Sequence, residues 1–207
     1  MSYHGVHRLL REGRARSWAL EVLAGPVTAV RHPLGFVCLP LERDGARGGE
    51  GVCLHLWSDS LAHAESTTSQ IHCHSWDLVS HVLYGQMRNV HAVVSDAGAD
   101  ATHRVFEVVS GADGDHISPT GRTVRHATGL VEVFGPGDTY TLPSGRFHSS
   151  VVPEGGEAAT IALGRGRPGS RDLSLGPLGA GPHHVSRQPL DRDETALAVR
   201  LITAHLT

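Results

Sequence analysis

The triplet His72-Cys73-His74 sets two imidazoles two residues apart. On a strand, alternation turns both onto one face, about 7 Å apart along the chain, and turns Cys73 to the other. Two imidazoles converging from one strand suit a divalent metal. The pair alone is a weak signal, because 16 histidines in 207 residues give about one such spacing by chance. A second pattern is far more specific. Gly137-Asp138-Thr139-Tyr140-Thr141-Leu142-Pro143-Ser144-Gly145-Arg146-Phe147-His148 reads G-x5-P-x-G-x2-H, expected about 0.01 times in a chain of this composition. Gly137 ends a turn, residues 138–142 extend as a strand, and Pro143-Ser144-Gly145 makes a tight turn. His148 then opens the returning strand. In that arrangement His148 faces the same interior as His72 and His74.

Short strands and turns must hold these residues. Gly 25 and Pro 11 are high, aromatics are 5 %, and apolar residues are 40 %. From residue 27 onward, short apolar runs alternate with Gly/Pro/Asp turns. The runs are Val27–Val30, Phe36–Leu41, Val52–Trp57, Gln70–His74, Leu78–Leu83, Arg88–Val94, Arg104–Val109, Gly129–Phe134, Asp138–Leu142, His148–Val152 and Ala159–Leu163. Short strands at hairpin spacing predict an antiparallel sandwich or barrel. Residues 3–24 read as one or two helices, with Gly13 weakening the run and Gly25-Pro26 ending it. Residues 191–206 read as a helix capped by Asp191 or Asp193. Residues 111–128 read as a long loop between two strands, and 164–190 as irregular. The expected organisation is a helical segment over 1–26, a barrel over 27–165, and an irregular segment with a helix over 166–207.

Net charge is −3 with all 18 cations arginine. The arginines are scattered, which argues against nucleic acid as a partner. No apolar run approaches the ~20 residues of a membrane span, and residues 1–16 show no apolar leader. Three cysteines, Cys38, Cys53 and Cys73, form no disulfide framework and read as reduced thiols. Together these features predict a cytoplasmic protein that does not bind membranes.

The two motifs resemble those of the cupin superfamily, over residues 36–165. The second cupin motif is matched by Gly137, Pro143, Gly145 and His148, with Val152 where Asn is usual. The first is matched by His72, His74 and Gly85, with Ser66 at its Gly position and Leu78 at its Glu position. The resemblance implies an all-β, cupin-type antiparallel β-barrel (jelly roll) with N-terminal and C-terminal helices. It also implies a metal held by His72, His74 and His148, with Asp77 as the nearest carboxylate to the vacant Glu position.

Three neutral imidazoles leave a divalent ion its full charge and open positions, a setting suited to an anionic chelating substrate. Such a site is similar to that of the three-histidine thiol dioxygenases, which the stretch Ser80–Met87 also resembles. That resemblance implies a metal-dependent oxygenase joining O₂ to a small anionic substrate, foremost the thiol of cysteine or a related aminothiol, in specialised biosynthesis. Fe(II) is the first expectation for the metal and Ni(II) the second. Thr160–Gly164 lacks the Ser-x-His-x-Tyr run of those enzymes. The alternatives are a metal-dependent isomerase, epimerase or lyase working without O₂, and a non-catalytic small-molecule-binding cupin. Tyr140, Arg43 and Arg146 are the candidate substrate-binding residues. His81 is expected to face away from the metal and His55 to sit in the sheet. His183 and His184 are expected to meet solvent. Pairing of two chains into a homodimer through sheet edges or terminal segments is the expected assembly.

Overall fold

The structure is a computed structural model that describes residues 2–44, 49–111 and 113–207, with residues 43 and 44 as backbone only. Two helices open the chain, α1 (Tyr3–Arg11) and α2 (Ala15–Leu23). The Ser2 hydroxyl caps α1 by accepting from Gly5 N. Gly13, at φ 70°, turns the chain between the two helices in a conformation that residues with a Cβ rarely adopt. Strands β1 (Val30–His32), β2 (Phe36–Asp44), β3 (Glu50–Trp57), β4 (His72–Cys73), β5 (Trp76–Tyr84), β6 (Met87–Asp96) and β7 (His103–Ser110) follow. Then come β8 (Asp115–Phe134), β9 (Thr139–Leu142), β10 (His148–Val151), β11 (Ala158–Gly166), β12 (Asp172–Gly176) and β13 (His183–Val185). Helix α3 (Arg192–Leu206) ends the chain. It carries a reciprocal capping box in which Glu194 N donates to Asp191 Oδ1 and Asp191 N to Glu194 Oε2. Among the described residues no helix is long and apolar enough to cross a membrane.

The strands form two antiparallel sheets. The first has the order β1-β2-β3-β11-β5-β9, and the second β13-β8-β6-β10-β4-β12-β7. Strand β8 also pairs with β7, so the second sheet closes on itself through that strand. This is the expected all-β, cupin-type double-sheet fold with helices at both ends.

Alternation divides the first sheet into two chemically distinct faces. On β3, Val52, Leu54 and Leu56 are buried, while Cys53, His55 and Trp57 between them are half-buried. The first set packs with Val37, Leu39, Ile161 and Leu163 against Trp18, Leu23, Ala198 and Ile202 of the helices. Truncating a side chain such as Leu54 there costs about 2–5 kcal/mol. The second set faces the space between the sheets. A separate apolar cluster of Cys73, Val105, Val124, Phe147 and Leu175 packs within the second sheet. Burial there pushes the Cys73 thiol up to about 11.

Gly85 turns β5 into β6 at φ 77°, and a Cβ there would lie 2.0 Å from the Glu157 carbonyl oxygen. Only glycine fits that approach.

Three expectations need correction. The expected loop over 111–128 is strand from Asp115 onward, part of the 20-residue β8. Its polar composition hides it, and Pro119 lies opposite Phe106 where the β7–β8 register shifts. A residue without an N–H is tolerated at such an irregularity. Residues 164–190 are not irregular throughout, since β11 runs on to Gly166 and β12 and β13 add two strands to the second sheet. The first strand runs over Val30–His32 instead of Val27–Val30.

Candidate metal centre

Two backbone features join the motifs. His148 on β10 stands in register with His72 on β4. Gly145, at φ 75° in the Pro143–Gly145 turn, donates its N–H to the His74 carbonyl at 2.9 Å. The tight turn of the second motif is therefore hydrogen-bonded to the end of the first.

The three rings converge. Centroid separations are 4.7 Å for His72–His74, 4.5 Å for His72–His148 and 5.3 Å for His74–His148. One nitrogen from each lies within 4.8 Å of the other two. His148 Nε2 and His74 Nε2 are 3.3 Å apart. Two nitrogens, each ~2.1 Å from one tetrahedral ion, stand ~3.4 Å apart, so the spacing fits a shared cation.

Hydrogen bonds fix which nitrogen is free. His148 Nδ1 donates to Asn89 Oδ1 at 2.8 Å, and His72 Nδ1 donates to the Gln70 carbonyl at 2.9 Å. Each ring therefore leaves Nε2 with its lone pair. Burial lowers the basicity of all three rings, His74 strongly and His148 to about 2, and the neighbouring imidazoles of the cluster add to the effect for those two. Neutral imidazole is the form a metal needs.

Leu78 occupies the carboxylate position of the motif. It is buried with Tyr140, Leu142 and Ala162, and no carboxylate joins the three histidines among the described residues. Asp77 is committed elsewhere, accepting from Arg167 and from Ser144 N. The Arg167 guanidinium and the Ser144 amide hold its carboxyl below the usual range. Trp76 stacks on His74 at 4.1 Å and forms one wall of the site.

A carboxylate does reach the site, but through an amide. Asn89 Nδ2 donates to Glu132 Oε2 at 3.1 Å, and His91 Nε2 donates to the same oxygen at 2.7 Å. Strand register explains this, since β6 sets His91 opposite His148 and Asn89 opposite Glu132. Hydrogen bonding to His91, then to Asn89, keeps the Glu132 carboxyl low. Its charge is relayed to His148 through Asn89. The sequence reading misses these residues. The alternation Asn89-x-His91 on a predicted strand is visible in the sequence, but the cross-strand partners are not.

Of the other candidates, Tyr140 is buried and stacked on Phe134 at 4.3 Å. Its hydroxyl bonds the Ser80 and Ser150 side chains, and burial raises its pKa. Arg146 is exposed on the turn, and the Arg43 side chain lies outside the described residues. His81 bonds Thr139 Oγ1 at 2.8 Å and is not one of the three converging rings. His183 bonds Thr67 Oγ1 and the Gly181 carbonyl. His55 and His32 lie near enough to His74 to lower its basicity further.

No family model and no curated protein matches the chain. Among solved structures, the crystal structure of Geodermatophilus obscurus L-ribose isomerase aligns with TM-score 0.40 and 14% identity, covering 95% of each chain. Cellulomonas parahominis L-ribose isomerase with L-psicose aligns with TM-score 0.40 and 14% identity, over 100% of this chain and 97% of that one. The structure shows an all-β fold of two antiparallel sheets with a three-histidine cluster that could hold a metal.

Proposed function

We propose that this protein is a metal-dependent enzyme of the isomerase or lyase type, moving a proton on a small hydroxy-carbonyl substrate without O₂. The supporting observation is the His91–Glu132 pair, 2.7 Å apart and linked to the three-histidine cluster through Asn89. A metal held by His72, His74 and His148 would supply Lewis acidity toward a substrate oxygen. Glu132 orients His91 and holds its proton at Nε2, which leaves Nδ1 as the basic atom. A base with a fixed orienting partner beside an electrophilic site is the arrangement that proton abstraction next to a carbonyl requires. Tyr140, with its hydroxyl held by Ser80 and Ser150, and Trp76 shape the pocket wall.

The test is proton exchange. Metal-loaded protein is incubated anaerobically in D₂O with a panel of aldoses, ketoses and hydroxy acids, and deuterium is followed at the carbon beside the carbonyl. Exchange is expected, and it should be lost in His91→Gln. A second reading, thiol oxygenation, is favoured by the all-nitrogen donor set left by Leu78. No exchange, together with O₂ uptake driven by cysteine, cysteamine or 3-mercaptopropionate above a metal-only control, would replace the first reading with the second.

A further inference from the structure

The inner face of the β2–β3 pair carries two thiols and an imidazole that the three-histidine centre does not use. Cys38 stands directly opposite His55 in the ladder, and Cys53 opposite Pro40. Alternation along β3 sends Cys53 and His55 to the same side, away from the buried row of Val52, Leu54 and Leu56. The two sulfurs and one nitrogen of this group lie within 4.8 Å of one another. The His55 ring is confined by Phe36 at 4.5 Å and Trp57 at 5.8 Å.

A second observation comes from the next strand. Thr160 on β11 pairs with His55 and shares its face. Its hydroxyl is a buried oxygen with no hydrogen-bond partner among the described residues. An unsatisfied buried hydroxyl costs about 1–3 kcal/mol, so a polar species beside His55 that engages it would remove a real penalty.

We propose that Cys38, Cys53 and His55 form a second metal site, separate from the three-histidine centre. It takes a thiophilic d¹⁰ cation, Zn²⁺, and leaves its fourth position open toward Thr160 and the barrel interior. The donor set carries the argument. Two thiolates and one imidazole are a known zinc complement when the fourth position stays open. The thiols lose their protons on binding, and two negative sulfurs neutralise the ion. That removes most of the penalty for burying a divalent charge. The open position would take water or a substrate atom, and the unpartnered Thr160 hydroxyl lies on the same sheet face, one strand over from His55. The site does not depend on the isomerase reading.

Cobalt distinguishes this site from every nitrogen- or oxygen-based one, because a thiolate bound to Co²⁺ gives an intense near-ultraviolet charge-transfer band. The exposed group Asp113, His116 and His184, whose ligand atoms also lie within 4.8 Å of one another, cannot produce it. Reduced, metal-stripped full-length protein is titrated with Co²⁺ and then with Zn²⁺. The band is expected in the wild type, bleached by one equivalent of Zn²⁺, retained in the triple variant H72A/H74A/H148A, and lost in C38A/C53A. A folded wild type that gives no band overturns the proposal, as does a band that survives in C38A/C53A. Should the double variant fail to fold, wild-type Cys53 is labelled with a thiol reagent with and without Zn²⁺. Roughly tenfold protection is expected for a metal-bound thiolate, and equal rates overturn the proposal.

Discussion

His72, His74 and His148 enter the barrel from the second sheet as neutral imidazoles, whereas Cys38, Cys53 and His55 enter from the first sheet with two ionisable thiols. The nitrogen cluster cannot offset a bound ion's charge with its own ligands. Compensation reaches it from Glu132, one amide away through Asn89. The sulfur cluster carries its compensation in the donor atoms. The difference shows how one double sheet can offer two electrostatic settings. A metal at the first would keep its charge for a substrate, and one at the second would have it used up by its ligands.

The largest effect that would break this contrast is expected from His148→Ala. It removes a ligand and leaves Asn89 Oδ1 without its donor. Affinity at the nitrogen centre should fall by more than about 100-fold, read by calorimetry, while the thiolate–cobalt band stays unchanged. Loss of both would mean that the clusters are one site.

A smaller effect sharpens the role of the relay. Glu132→Gln keeps the shape but removes the charge. Metal affinity at the nitrogen centre should drop about 10–100-fold, with no change at the sulfur cluster. An unchanged affinity would show that the carboxylate is too distant to matter.

Acid separates the clusters differently. The three imidazoles have lowered pKa values in the fold, so below about pH 6.5 the unfolded chain binds protons that the folded chain refuses. Stability of the metal-free protein therefore falls as pH falls from 6.5, by up to about 1.4 kcal/mol per pH unit for each histidine, and is unaffected above that range. Urea midpoints at pH 7.5, 6 and 5 measure the slope, and replacing His148 should flatten it.

The smallest effect belongs to Thr160→Val. Removing an unsatisfied hydroxyl should stabilise the metal-free protein by about 1 kcal/mol, read as a denaturation midpoint. In zinc-loaded protein the gain should vanish, since the hydroxyl then has a partner. A gain of equal size in both states would separate Thr160 from the sulfur cluster.

Much of the nitrogen centre was legible in the sequence because its parts are local. Gly137, Pro143 and Gly145 encode a turn whose length brings His148 back toward His72, and the alternation in His72-Cys73-His74 needs no partner strand. The helices were legible for the same reason, through Gly13, the Gly25-Pro26 stop and a capping aspartate at 191 or 193, of which the structure uses Asp191. The rest depends on pairing. Asn89, Glu132 and His91 meet only because β6, β8 and β10 are neighbours, and Cys38 meets His55 only through the β2–β3 register. Strand β8 escaped for a different reason. Its residues alternate too weakly between apolar and polar, and Pro119 and Gly121 imitate a loop.

The order of the first sheet also has a consequence for synthesis. Strand β11 lies at its centre, between β3 and β5, yet emerges from the ribosome roughly a hundred residues after β3 ends. At ~5–20 residues per second, the β2–β3 hairpin waits at least several seconds for the neighbour that covers its edge. During that interval Cys53 and Val52 lack the cross-strand partners Ala162 and Leu163. Assembly of this sheet is a late, long-range event, which places the protein among slowly folding topologies and exposes an open hairpin edge to other nascent chains.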